Sequence, residues 1–174
     1  MALVVFLRAV NIAGHQTFKP SALAKDLSHL DVVNIGTAGT FVVFAKISPT
    51  RLRQAILAEL DFVPDMMICP SKEVDALTKV ARFEPVTAGM QSYVTVMASP
   101  LTTKHRFPIS VPESGEWQLR LAAASGRFVI SHRRLVGQAK YYPNEIVEKR
   151  FGVPATTRNW TTITKIHDIL ASRV

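Results

Sequence analysis

The stretch TTRNWTTITKI (156–166) sets Arg158, Asn159 and Trp160 among Thr156, Thr157, Thr161, Thr162 and Thr164, with Lys165 following. A cation, an amide and hydroxyls brought together are groups that hold an anion. Read as the first turns of a helix, Arg158, Thr161, Thr162 and Lys165 fall at i, i+3, i+4 and i+7 and form one basic, hydroxyl-lined stripe. Free N–H groups and the helix dipole favour a negative ligand there. Trp160, Ile163, His167 and Leu170 form a second, apolar stripe, with Trp160 as an anchor in the core. The plainer reading makes Thr156 or Thr157 a helix cap and Arg158 half of a local ion pair. Near the other end, Arg8 interrupts an apolar run, and Asn11 and Gly14 follow in a polar loop. Desolvating an unpaired charge is prohibitive, so Arg8 either meets a carboxylate or carbonyl or faces an open cleft.

Other chemistry leaves little trace. The chain has no GxxxxGK[ST], HExxH or GxSxG motif, and no GxGxxG after a strand. Its five histidines (15, 29, 105, 132 and 167) never fall at metal-ligand spacing, so the sequence implies neither a metal nor a cofactor. His167 reads as a packed imidazole, and the lone Cys69 as an inert thiol ending an apolar strand. Glu73/Asp75 and Glu145/Glu148 read as solvated helix surface. No nucleophile or base announces itself, and the sequence assigns no reaction.

Charge says more. The net charge is +8, but residues 1–90 hold 9 Lys/Arg against 8 Asp/Glu, while residues 91–174 hold 12 against 5. Arg133, Arg134 and Lys140 form the densest basic cluster. This bias points to an anionic partner, from a phosphorylated metabolite to a nucleic acid, or to a solvated face that keeps the protein in solution. The apolar start MALVVFLRAV is too short to span a bilayer and lacks a basic leader, so it reads as a strand. No membrane partner and a cytoplasmic location are the expectations.

These residues must be positioned by a fold, and the pattern predicts one. Strands are expected at 3–10, 31–35, 41–47 and 65–69. Helices are expected near 21–30, capped by Ser21, and after Ser48 with Pro49 at its first position. The order is β-α-β-β-α-β, the split βαβ or ferredoxin-like arrangement. The second half reads as a distorted copy, with a helix at 71–82, a strand at 91–99, a hairpin across Ser125–Gly126 and a helix at 143–151. Residues 100–116 carry three prolines and read as a loop or an eroded helix. The expectation is an α+β protein of two fused ferredoxin-like subdomains, 1–70 and 71–174, forming one compact unit. Each would be an antiparallel sheet with helices on one face.

LRAVNIAG (7–14), TAGTFVVF (37–44) and TTRNWTTITKI (156–166) together resemble domain-of-unknown-function family 1697, an uncharacterised, mainly bacterial family. The resemblance covers nearly the whole chain. Arg8, Asn11 and Gly14 match the N-terminal motif; Thr157, Arg158, Asn159, Trp160, Thr162 and Lys165 match the C-terminal one. The chain departs from the family at Ala9 and Ala13, where glycines are usual, and at Ala38-Gly39-Thr40, where Ser-Gly-Asn is usual. The resemblance implies the paired ferredoxin-like fold and no established reaction. The leading expectation is a small anionic or phosphorylated ligand held in a cleft between the subdomains by Arg8, Asn11, Gly14, Thr157, Arg158, Asn159 and Lys165. A second is RNA binding through the basic second half, with Phe6 and Phe41 as stacking platforms on the sheet. A third is an assembly module, such as a homodimer joined through a sheet edge or helix face.

Overall fold

The protein is an α+β structure with two antiparallel sheets of four and five strands. The computed structural model describes residues 1–8, 18–80 and 87–173. It divides into two units, Met1–Thr78 with Thr164–Val174, and Lys79–Ile163. The expected boundary at 70/71 therefore falls eight residues early, and the last helix contributes its C-terminal part to the first unit.

The first unit runs β1 (Leu3–Leu7), α1 (Pro20–Asp26), β2 (Val32–Ile35), β3 (Thr40–Val43), α2 (Pro49–Ala58) and β4 (Met66–Pro70), followed by α3 (Ser71–Val80). Its strands lie in the order β2-β3-β1-β4, all antiparallel. Helix α1 begins at Pro20 rather than being capped by Ser21. Proline's fixed φ suits the first helical position, where its missing N–H has no partner to lose. Ser48 does cap α2, its Oγ accepting from the Arg51 N–H at 3.3 Å. Gly39, at φ +72, ends the β2–β3 turn in a conformation that a side chain would strain.

One face of this sheet carries Leu3, Val5, Leu7, Phe41, Val43, Met66 and Ile68, packed on Leu23 of α1, Leu27 just after it, and Leu52 and Ile56 of α2. Val5 stands opposite Phe41, and Phe6 opposite Thr40. Strand side chains alternate, so Phe6 points to the other face along with Val4, Val42, Met67 and Cys69. That face is buried too, with Phe6 at 0% exposure and Phe41 at 2% on its own side. The two rings cannot form one stacking platform, being on opposite faces and both out of solvent.

The second unit contains β5 (Met90–Met97), β6 (Ile109–Val111), β7 (Leu119–Ser125), β8 (Phe128–Arg134), α4 (Pro143–Phe151) and β9 (Ala155–Asn159), which leads into α5 (Trp160–Ala171). The strand order is β6-β7-β8-β5-β9. Without β6, the sequence order of the neighbours repeats that of the first sheet. The expected loop or eroded helix at 100–116 instead contains β6, an edge strand paired with β7. Its Ile-Ser-Val run favours extended backbone, and the flanking Pro108 and Pro112 are tolerated only at a sheet edge. Met97, Leu119, Leu121, Val129, Val147 of α4 and Ala155 form the core on one face.

The largest local departure from expectation is at 155–159. The run predicted to open a helix is strand β9, and the helix starts only at Trp160. Successive threonines favour extended backbone, and an Asn is a better helix cap than a helix interior residue.

Candidate functional site

Because β9 is a strand, the predicted stripe of Arg158, Thr161, Thr162 and Lys165 does not exist: Arg158 lies outside the helix. Alternation sends Thr157 and Asn159 to one face of the sheet and Thr156 and Arg158 to the other. Thr157 Oγ1 lies 2.9 Å from Thr95 Oγ1, a cross-strand hydroxyl pair. Arg158 is 6% exposed. Its Nη1 donates to Thr156 Oγ1 and to the Thr157 carbonyl, each at 2.9 Å. Burial pushes its guanidinium down to about 10 from its ordinary value. The side chain is enclosed, and Nη1 makes both of these contacts within its own strand.

Asn159 takes the role expected of Thr156 or Thr157. Its Oδ1 accepts from the Thr162 N–H at 3.1 Å and from Thr162 Oγ1 at 2.8 Å, capping α5. Substituting Ala for a capping Asn costs about 1 kcal/mol. Asn159→Ala should therefore lower the unfolding free energy read by urea titration by that amount, and Asn159→Asp should restore most of it. Lys165 is exposed on α5. Trp160 is half-buried, whereas Ile163 and Ile166 are fully buried and anchor the helix.

Arg8, in the first unit, pairs with Asp65 at 3.2 Å, and its backbone N–H donates to the Asp65 carbonyl. This is the carboxylate partner that its place at the end of β1 demanded. Asn11 and Gly14 lie outside the described residues. Of the expected contacts, Thr157, Arg158 and Asn159 share β9, while Arg8 and Lys165 belong to the first unit.

The basic cluster noticed in the sequence builds a pocket within the second unit. A cavity of about 140 Å³ is lined by Gln118, Arg133, Arg134, Lys140 and Tyr141, with no carboxylate among the lining residues. Strand β8 supplies both arginines, and the loop to α4 supplies Lys140 and Tyr141. The Arg134 N–H donates to the Gln118 carbonyl at 2.9 Å, fixing the strand end against β7. Arg133 lies over the rings of Tyr93 (5.3 Å) and Tyr142 (6.0 Å). Arg134 and Arg120 lie over Trp117 at 4.1 and 4.3 Å. Cation–π contacts of this kind hold guanidinium groups in place without neutralising them. Arg133 Nε is buried and has no hydrogen-bond partner. Charge density flagged these cations in the sequence, but the rings that orient them come from distant segments and gave no local signal.

In the first unit, Asp75 and His167, read separately in the sequence as helix surface and packed imidazole, meet. His167 Nδ1 lies 2.6 Å from Asp75 Oδ1, and both side chains are half-buried. No group of three or more His, Cys, Asp or Glu among the described residues could hold a metal ion. No described helix is long and apolar enough to cross a membrane.

No family model matches the chain, and no curated protein does. Among solved structures it is similar to a conserved bacterial protein from Streptococcus pneumoniae, with a TM-score of 0.64 and 16% identity. The match covers 97% of this chain and 98% of that one. At this identity the likeness shows a shared fold and carries no activity with it.

Proposed function

We propose that the protein binds a small anionic ligand through the basic pocket at the end of β8. The observation that carries this reading is the convergence of Arg133, Arg134 and Lys140 on one cavity with no carboxylate in its lining. Its volume of about 140 Å³ is below the roughly 300 Å³ at which pockets begin to enclose a whole drug-sized molecule. It therefore suits one phosphate or carboxylate group, with the rest of the ligand outside. Arg133 offers a planar fork of donors matched to such a group, and Lys140 a point charge.

The fold context is part of the same reading. The strand order of each sheet supports two ferredoxin-like subdomains related by duplication, and the motif residues support kinship with domain-of-unknown-function family 1697. RNA binding is the second reading, favoured by the net charge of the second half and by its arginine–aromatic contacts. Against it, Trp117 already carries two guanidinium groups, and Phe6 and Phe41 are buried. That leaves charge without a free stacking platform.

Calorimetric titration with inorganic phosphate at low ionic strength tests the proposal. Charge-assisted hydrogen bonds contribute about 1.5–3 kcal/mol each, so Arg133→Ala and Lys140→Ala should each weaken binding by roughly tenfold or more. Lys165→Ala should change nothing. Equal affinity in all three variants would remove the pocket as the site. Binding of random RNA with a steep salt dependence, uncompeted by phosphate, would favour the second reading instead.

A further inference from the structure

A second site stands in the first unit. A groove of about 480 Å³ is lined by Lys72 and Asp75 of α3, by His167, Leu170 and Ala171 of α5, and by Phe44. This volume lies in the range of small-molecule sites, which are mostly apolar with a few convergent polar groups. Phe44, Leu170 and Ala171 supply the apolar wall. The polar groups are arranged rather than scattered. Asp75 Oδ1 is 2.6 Å from His167 Nδ1. An ionised carboxylate only accepts, so Nδ1 carries a proton towards Asp75, which leaves Nε2 as the lone-pair nitrogen of the neutral imidazole. Nε2 makes no hydrogen bond among the described residues. Lys72 is exposed and lines the same groove.

We propose that this groove hydrolyses short-chain carboxylic esters, with His167 as general base and Asp75 as its positioning residue. A water in the groove gives a proton to Nε2 while its oxygen forms a bond to the acyl carbon. The carbon–oxygen bond to the leaving group then breaks, and the leaving alkoxide takes the proton back from Nε2. Acid and alcohol are the products, with no redox change and no co-reactant besides water. The acyl chain lies against Phe44, Leu170 and Ala171, and Lys72 faces the charge that develops on the carbonyl oxygen. Holding the imidazole in one tautomer is the contribution of Asp75.

The test is steady-state hydrolysis of p-nitrophenyl acetate by the whole chain. General-base catalysis contributes about 10²–10⁴-fold, so His167→Ala should lower kcat/KM by about a hundredfold or more. Added imidazole should restore part of that loss beyond the rate it gives without protein, with saturation in ester, which a structural role for His167 would not allow. Asp75→Asn should lower kcat while leaving KM unchanged. His29→Ala, which removes an exposed imidazole elsewhere in the unit, should match the parent protein. Hydrolysis that never saturates with ester, or that falls equally in His29→Ala and His167→Ala, would overturn the proposal. Failure here leaves phosphate binding at Arg133 and Lys140 untouched, since the two assays read different residues and different ligands.

Discussion

Phe6→Ala is expected to lower the unfolding free energy by about 3–5 kcal/mol, the usual cost of deleting a fully buried Phe. Phe6 is 0% exposed at the middle of β1, the strand that pairs with both β3 and β4. Val4, Val42, Met67 and Cys69 are buried on the same face, so little can move to fill the space the ring would leave. With total stabilities of roughly 5–15 kcal/mol, such a loss brings a domain close to unfolding at ambient temperature. Denaturant titration reads the effect directly. A base-stacking residue would behave in the opposite way, losing nucleic-acid affinity while leaving the denaturant midpoint alone. That outcome would restore the RNA platform.

The second large effect separates two substitutions at one position. Arg158→Met should stay within about 1 kcal/mol of the parent, because the lost hydrogen bonds and the relieved desolvation are of similar size. Arg158→Ala should fall about 2–5 kcal/mol below Arg158→Met, since it also empties a closed site beside Thr156. The pH dependence follows from the folded guanidinium sitting near 10, below its ordinary value. The folded state holds this proton less tightly than the unfolded chain does. Well below pH 10 both states are charged, and the burial penalty is present in full. Above about pH 10 the unfolded state binds more protons, so this group's contribution to stability rises with pH. Both variants should lose that alkaline rise. Should both instead stay folded and lose phosphate binding, Arg158 would be a ligand contact after all.

Much of the fold was legible because its signals are local. Val-rich runs, Pro49 after Ser48 and the glycine turns place most strands and helices within a few residues of their observed bounds. Where the reading failed, a competing local preference won. Gly152 and Pro154 bound Ala155–Asn159 on one side, but its apparent helical spacing continues smoothly into a real helix at Trp160. A period-3.6 count cannot see that shift, whereas the choice of Asn as cap can. Ile109–Val111 is only three residues long, too short to show alternation among prolines. The site was less legible than the fold for a different reason. Arg133, Arg134 and Lys140 are close in sequence and visible as charge, but Tyr93 and Trp117 reach them only through sheet pairing. Asp75 and His167 lie 92 residues apart and separately look like surface and core. Their meaning exists only as a pair.

The first unit is interrupted: Met1–Thr78 is completed by Thr164–Val174, with the whole second unit between them in the sequence. During synthesis, β1 to β4 leave the ribosome while the residues that carry His167 and Arg173 are still unmade. Arg173 supplies the partner of Asp31 and lies over Phe44, and His167 supplies the partner of Asp75. At about 5–20 residues per second, the nascent chain waits several seconds with those positions uncovered. The second unit, continuous from Lys79 to Ile163, meets no such delay. A released chain ending at Ile163 should therefore carry a protease-resistant second unit attached to a first unit that trypsin still cuts.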